Sequence, residues 1–116
     1  MKFQTEKGQI SISADVFTNI TGAAATSCFG VKGMAIRSTT DGLVHLLRRE
    51  SMAKGVKVIY NEDDSISLEL HIIVENGVNL MATSRAIMNT VRYQVSRDTG
   101  VEVKSVDVFV DSMVNG

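Results

Sequence analysis

The sequence predicts an α+β domain of two layers, with helices packed on one face of a mixed, mostly antiparallel sheet. The first observation behind this is Val56 to Glu75, where apolar and polar residues alternate along two arms joined by Asn61-Glu62-Asp63-Asp64. Period-two alternation over that length marks strands with one buried and one wet face, and Asn and Asp suit a tight turn. The second is helical spacing of apolar residues in 14–28 and 80–98. The third is the order β-α-(α)-β-β-α-β, in which helices separated by strands share one hairpin. At 116 residues the chain reads as one domain, 1–116, able to bury a core.

The elements follow in order. Met1 to Gly8 is polar and reads as a flexible end or an edge strand around Phe3, followed by a short alternating strand, Gln9 to Ser13. Ser13 then caps a helix, Ala14 to Cys28, with Asp15 in the first turn where the helix dipole favours a carboxylate. Val16, Phe17, Ile20, Ala23, Ala24 and Cys28 form its apolar stripe. Gly22 would cost about 1 kcal/mol in a helix interior, so the run Gly22-Ala23-Ala24-Ala25 points to close approach of the sheet or another helix.

Gly30 suits the left-handed end of that helix, and Gly33 a second tight turn. Arg37 to Asp41 reads as a polar loop. Thr40 or Asp41 would cap a second helix, Gly42 to Ala53, with Leu43, Leu46, Leu47 and Met52 inward and His45, Arg48, Arg49 and Glu50 outward. In the hairpin that follows, Ile66, Leu68, Leu70, Ile72 and Val74 share the inner face, with Ser67, Glu69, His71 and Glu75 on the other.

Asn76-Gly77 is a turn signal, and Asn79 caps a third helix, Leu80 to Asp98, whose inner stripe is Leu80, Ser84, Ile87, Val91 and Val95. Gly100 stops it. In the last strand the inward parity flips between Val103 and Val106, which predicts a bulge near Lys104-Ser105.

Charge is nearly balanced, at a net of -1, which is unlike a chain built to track phosphate backbones. The one cysteine leaves no internal disulfide to form and fits a reducing compartment. No apolar run approaches the roughly 20 residues of a membrane span, and MKFQTEKGQ lacks the apolar core of a signal peptide. The expectation is a cytoplasmic protein that meets the membrane only through a partner.

Cys28, His45 and His71 have no metal-ligand spacing, and Glu62-Asp63-Asp64 lacks the spacing of a calcium loop. No P-loop, GxSxG elbow or paired acid and base is visible. The reading is therefore no enzyme, no metal and no cofactor.

Gly30-Val31-Lys32-Gly33 is a GxxG with a basic residue inside, following one helix and preceding another. That order resembles a KH module, whose loop clamps nucleic-acid backbone. Lys32, Arg37, Arg48 and Arg49 would then meet phosphates. The polar stretch Ser38 to Asp41 delays the next helix, however, and the final strand is extra, so RNA binding stands as the alternative.

The stretch GQISISADVFTNITGAAATSCFGVKGMA resembles the opening of the alkaline shock protein family, the envelope stress response proteins of Gram-positive bacteria. The likeness continues through LRRESMAKGVKV, SLELHIIVENGVN and VKSVDVFVD, so it covers nearly the whole chain. It is nearest the short, single-domain cytosolic members. What the resemblance implies is a non-catalytic scaffold or adaptor in cell-envelope homeostasis and stress. It would work through protein partners, among them an integral-membrane anchor, and through homo-oligomers. The candidate surfaces are the loop with Gly30, Lys32, Gly33 and Arg37, the pair Arg48 and Arg49, and the edge of the last strand at Val106, Val108 and Val110.

Overall fold

The computed structural model describes residues 1–37 and 42–115, the side chains of Arg37, Arg49 and Glu50 excepted. In chain order the elements are β1 (Lys2–Thr5), β2 (Gly8–Ser11), α1 (Ala14–Thr26), β3 (Val31–Arg37), β4 (Val44–Leu46), a 3-10 helix (Arg49–Gly55), β5 (Val56–Tyr60), β6 (Ile66–Glu75), α2 (Leu80–Thr99) and β7 (Val103–Val114).

Strand β6 is the centre of a five-stranded sheet. Its first half pairs antiparallel with β5 and its second half antiparallel with β3, while β7 runs parallel to its whole length. The amide of Asn61 donates to Ser65 O and that of Glu75 to Gly30 O, so odd-numbered residues turn their backbone groups toward β5 and β3. Ile66 N donates to Glu102 O and Asn76 N to Val114 O, so even-numbered residues turn toward β7. β3 and β5 therefore lie end to end on one side of β6, with β4 beyond β3.

The predicted alternation holds. Ile66, Leu68, Leu70, Ile72 and Val74 are fully buried beneath the helices. α1 packs on β3, β5 and the 3-10 helix, α2 on β7, and the two helices on each other. The hairpin tip is closed by Asp63, whose Oδ1 accepts from Ser65 N at 3.2 Å and Ser65 Oγ at 2.5 Å. Asp64 takes the left-handed conformation there, at φ 65°.

α2 starts and stops where the sequence places its caps. Asn79 Oδ1 accepts from Ala82 N at 2.9 Å, and Gly100 has φ 74°. Its buried stripe is Thr83, Ile87, Val91 and Val95, so Thr83 takes the place expected for Leu80 and Ser84. α1 ends two residues before Cys28, as Thr26 Oγ1 and Ser27 Oγ turn back onto the carbonyls of Gly22 and Ala24. Its buried residues are Phe17, Thr18, Thr21, Gly22, Ala24 and Ala25, while Val16 and Ala23 face outward. A β-carbon on Gly22 would stand 3.6 Å from Met52 Cβ, which is the close approach its small neighbours permit.

Of the two readings of the N-terminus, the strand around Phe3 is the one observed: β1 pairs with β2 in a hairpin separate from the main sheet, with Phe3 opposite Ile10. One expectation is overturned. The expected helix Gly42 to Ala53 is absent: β4 pairs with β3, and a 3-10 helix follows. Leu43, Leu46 and Leu47 have helical spacing, but Val44-His45-Leu46 lies along Ala35–Arg37 as an edge strand, and Leu47 N donates to Met34 O. Leu43 and Leu46 are left exposed. Gly55 closes the segment against β3, where a β-carbon would stand 2.9 Å from Ala35 O.

The bulge in the last strand lies where the parity flip puts it. Ile66 faces Val103 and Ser67 faces Ser105, so the register passes over Lys104, and Arg92 Nη2 donates to the Lys104 carbonyl at 3.0 Å. A second shift separates Val110 from Ser112.

Candidate interaction surface

Among the described residues no helix covers the second face of the sheet. There the β6–β7 register sets His71 beside Phe109. Their rings stack with centroids 4.8 Å apart at 14°. Asp111, on the same face two residues along β7, places Oδ2 2.9 Å from His71 Nδ1. A carboxylate in this pairing accepts, so Nδ1 carries the proton and Nε2 points away from the pair. The Asp111 side chain is only 11 % exposed, against 40 % for His71. Phe109 remains 42 % exposed despite the stack. The result is a half-exposed aromatic pair on the face of the sheet away from the helices.

Next to it runs the free edge of β7. Among the described residues β7 pairs with β6 alone. Successive residues of a strand turn their N–H and C=O groups to opposite sides. Since even-numbered β6 residues face β7 at the registers Leu68↔Val106, Leu70↔Val108 and Ile72↔Val110, the β7 partners of those backbone groups are Asp107 and Phe109. Val106, Val108 and Val110 therefore send their backbone groups outward. Their side chains point to the helices, Val106 buried and the other two half-buried.

The remaining predicted residues do not form one surface. Gly30 is left-handed at φ 85°, and a β-carbon there would strike Val78 Cγ1 at 2.6 Å. Lys32 and Gly33 lie within β3 rather than in a loop between helices, so the KH arrangement is not present. Gly33 is buried, and a β-carbon on it would meet Leu46 Cδ1 at 2.8 Å. Lys32 instead rims a groove of about 430 Å³ between α1, β3 and the 3-10 helix, floored by Ala23, Gly33, Leu46, Leu47 and Met52. Arg48 is exposed just before the 3-10 helix, and the side chains of Arg37 and Arg49 lie outside the described residues, as do Ser38 to Asp41. Among the described residues no three His, Cys, Asp or Glu side chains converge as a metal site.

Sequence reasoning missed the His71–Phe109–Asp111 group. One signal was present: Phe109 interrupts a wet face otherwise made of Asp107 and Asp111. Which residue it meets depends on the parallel register, which no spacing reveals.

Residues 2–115 match the family of alkaline shock protein 23, described as having a cell envelope-related function. The chain belongs to this family. An uncharacterized protein of Bacillus subtilis, YloU, is 33% identical over 114 residues, covering 97% of this chain and 94% of its own. An uncharacterized protein of Streptococcus pyogenes, Spy1614, is 34% identical over 114 residues, with 97% and 93% covered. No solved structure matches. Among the described residues, no helix of this alkaline shock family member is long and apolar enough to cross a membrane.

Proposed function

We propose that this protein is a non-catalytic scaffold or adaptor that serves the cell envelope through protein–protein contacts, reaching the membrane through a bound partner. The observation that carries the reading is the twelve-residue strand β7, which among the described residues pairs with β6 alone, beside the exposed Phe109–His71 pair. An open strand edge supplies main-chain hydrogen bonds to an incoming segment, and a neighbouring aromatic supplies apolar contact. The family's envelope-related description supports the setting.

The test is a tagged pull-down from the native host after mild crosslinking, run in parallel with Phe109→Ala, with the eluate analysed for protein and nucleic acid. An envelope protein captured by the wild type and lost from the variant supports the reading. RNA that stays bound through moderate salt overturns it in favour of a nucleic-acid function.

A further inference from the structure

We infer that the cleft where β3 and β5 part, beside His71, is a binding site for a small phosphate monoester held by Lys54, Lys57 and His71. This goes beyond the proposed function and does not rest on it, since neither the edge of β7 nor a protein partner enters it.

The cleft follows from the topology. The β5 ladder ends at Val56↔Leu70 and the β3 ladder begins at Met34↔Ile72, so His71 falls between the two. Buried Ala35 and Gly55 line the gap, and a β-carbon on Gly55 would stand 2.9 Å from Ala35 O. Backbone therefore meets backbone there, and a cavity of about 260 Å³ is left above it. Sites for drug-sized molecules run to roughly 300–1,000 Å³, so the occupant is smaller than those.

Three nitrogen-bearing side chains reach the cleft from three elements. Lys54 comes from the last turn of the 3-10 helix, Lys57 from β5 and His71 from β6. Among the described residues neither lysine forms an ion pair, although Lys57 sits directly across from Glu69 in the β5–β6 register. His71 is tied through Nδ1 to Asp111 and stacked on Phe109, which leaves Nε2 for the occupant. As an imidazolium, Nε2 donates to a phosphate oxygen; in the neutral ring it accepts from a protonated phosphate. Lysine meets phosphate as a point charge, and the three groups together match the three terminal oxygens of a monoester. Ile36, 41 % exposed, gives the carbon stem an apolar wall.

The surroundings favour a small ligand over an extended one. Glu69 lines the same cleft and lies beside Asp107 in the β6–β7 register, and Asp111 stands further along the same face. These carboxylates repel a nucleic-acid strand or an anionic bilayer laid across the sheet. A single soluble phosphate passes between the lysines without covering them.

The experiment is an NMR titration of the purified protein with glycerol 3-phosphate and with inorganic phosphate, with circular dichroism as the check on folding of each variant. Saturable shifts are expected at Lys54 to Lys57 and at Glu69 to Ile72. Lys54→Gln and Lys57→Gln each weaken binding about tenfold, the worth of one charge-assisted hydrogen bond. His71→Gln weakens it too, and Glu69→Gln tightens it. Lys7→Gln, in the turn of the N-terminal hairpin, leaves it unchanged. Shifts that do not saturate, or equal losses from Lys7→Gln and Lys54→Gln, overturn the inference. Sedimentation with phosphatidic acid vesicles separates the sources of phosphate. Protein left in the supernatant supports a soluble ester, and protein that pellets overturns that choice in favour of a lipid headgroup.

Discussion

A β-carbon on Gly30 would lie 2.6 Å from Cγ1 of Val78, so the end of α1 and the start of α2 approach through the space a side chain would fill. Gly30 is also left-handed, at φ 85°. Gly30→Ala should therefore destabilise the fold by about 2–3 kcal/mol, combining a conformational cost with a packing clash. Gly77→Ala, at φ 94° with open space around it, should cost only about 1 kcal/mol. Urea titration of the two variants checks the difference, and adding Val78→Ala to Gly30→Ala should recover part of the loss.

Thr21 is fully buried in α1, and its Oγ1 has no hydrogen-bond partner among the described residues. A buried hydroxyl without a partner carries its desolvation cost uncompensated. Thr21→Val keeps the shape and removes that cost. It should raise stability by about 1 kcal/mol, read as a higher urea midpoint with an unchanged slope.

Asp63 has a carboxyl held below its ordinary value of 3.8, first by the Ser65 hydroxyl, then by the Ser65 amide, with Lys104 adding a smaller push in the same direction. A pKa lower in the folded state means stability that is complete above the unfolded value and is lost as pH falls through the folded one. Asp63→Asn should flatten the acid limb of a stability–pH profile and leave the neutral region with no pH-dependent change. A profile that overlays the wild type below pH 4 would show that the turn carries no linkage.

Proline at adjacent positions of β7 tests which backbone groups face outward. Val108 turns its N–H away from β6, so Val108→Pro should leave the sheet folded. Phe109 turns its N–H toward β6, so Phe109→Pro should break the ladder and unfold the sheet margin. Circular dichroism separates the two, and similar behaviour of both variants would mean the parity is wrong.

The parts of the fold written in local chemistry were legible. Alternation located β5 and β6, Asn79 and Gly100 located α2, and the parity flip located the bulge at Lys104. The second helix was not legible, because Leu43, Leu46 and Leu47 match helical spacing while pairing with β3 decides the outcome. The separation of β1 from the main sheet was hidden too, since a short alternating segment looks the same wherever it pairs. The surface was read in pieces. Val106, Val108 and Val110 lie on a strand that pairs with β6 alone among the described residues, and their side chains point inward. The His71–Asp111 pair bridges residues forty apart through a parallel register that local pattern does not encode.

The parallel pairing of β6 with β7 also governs when the molecule can become complete. β5 and β6 are joined by a tight turn, so that ladder closes within a short span of chain. The other long side of β6 waits until all twenty residues of α2 have been made and β7 has followed them. Loop closure over that distance slows assembly relative to a hairpin. During synthesis, then, the most deeply buried strand of the protein spends its longest interval with one flank unsatisfied. In that interval it is open to misassembly with a neighbouring nascent chain, and the arrival of β7 ends it.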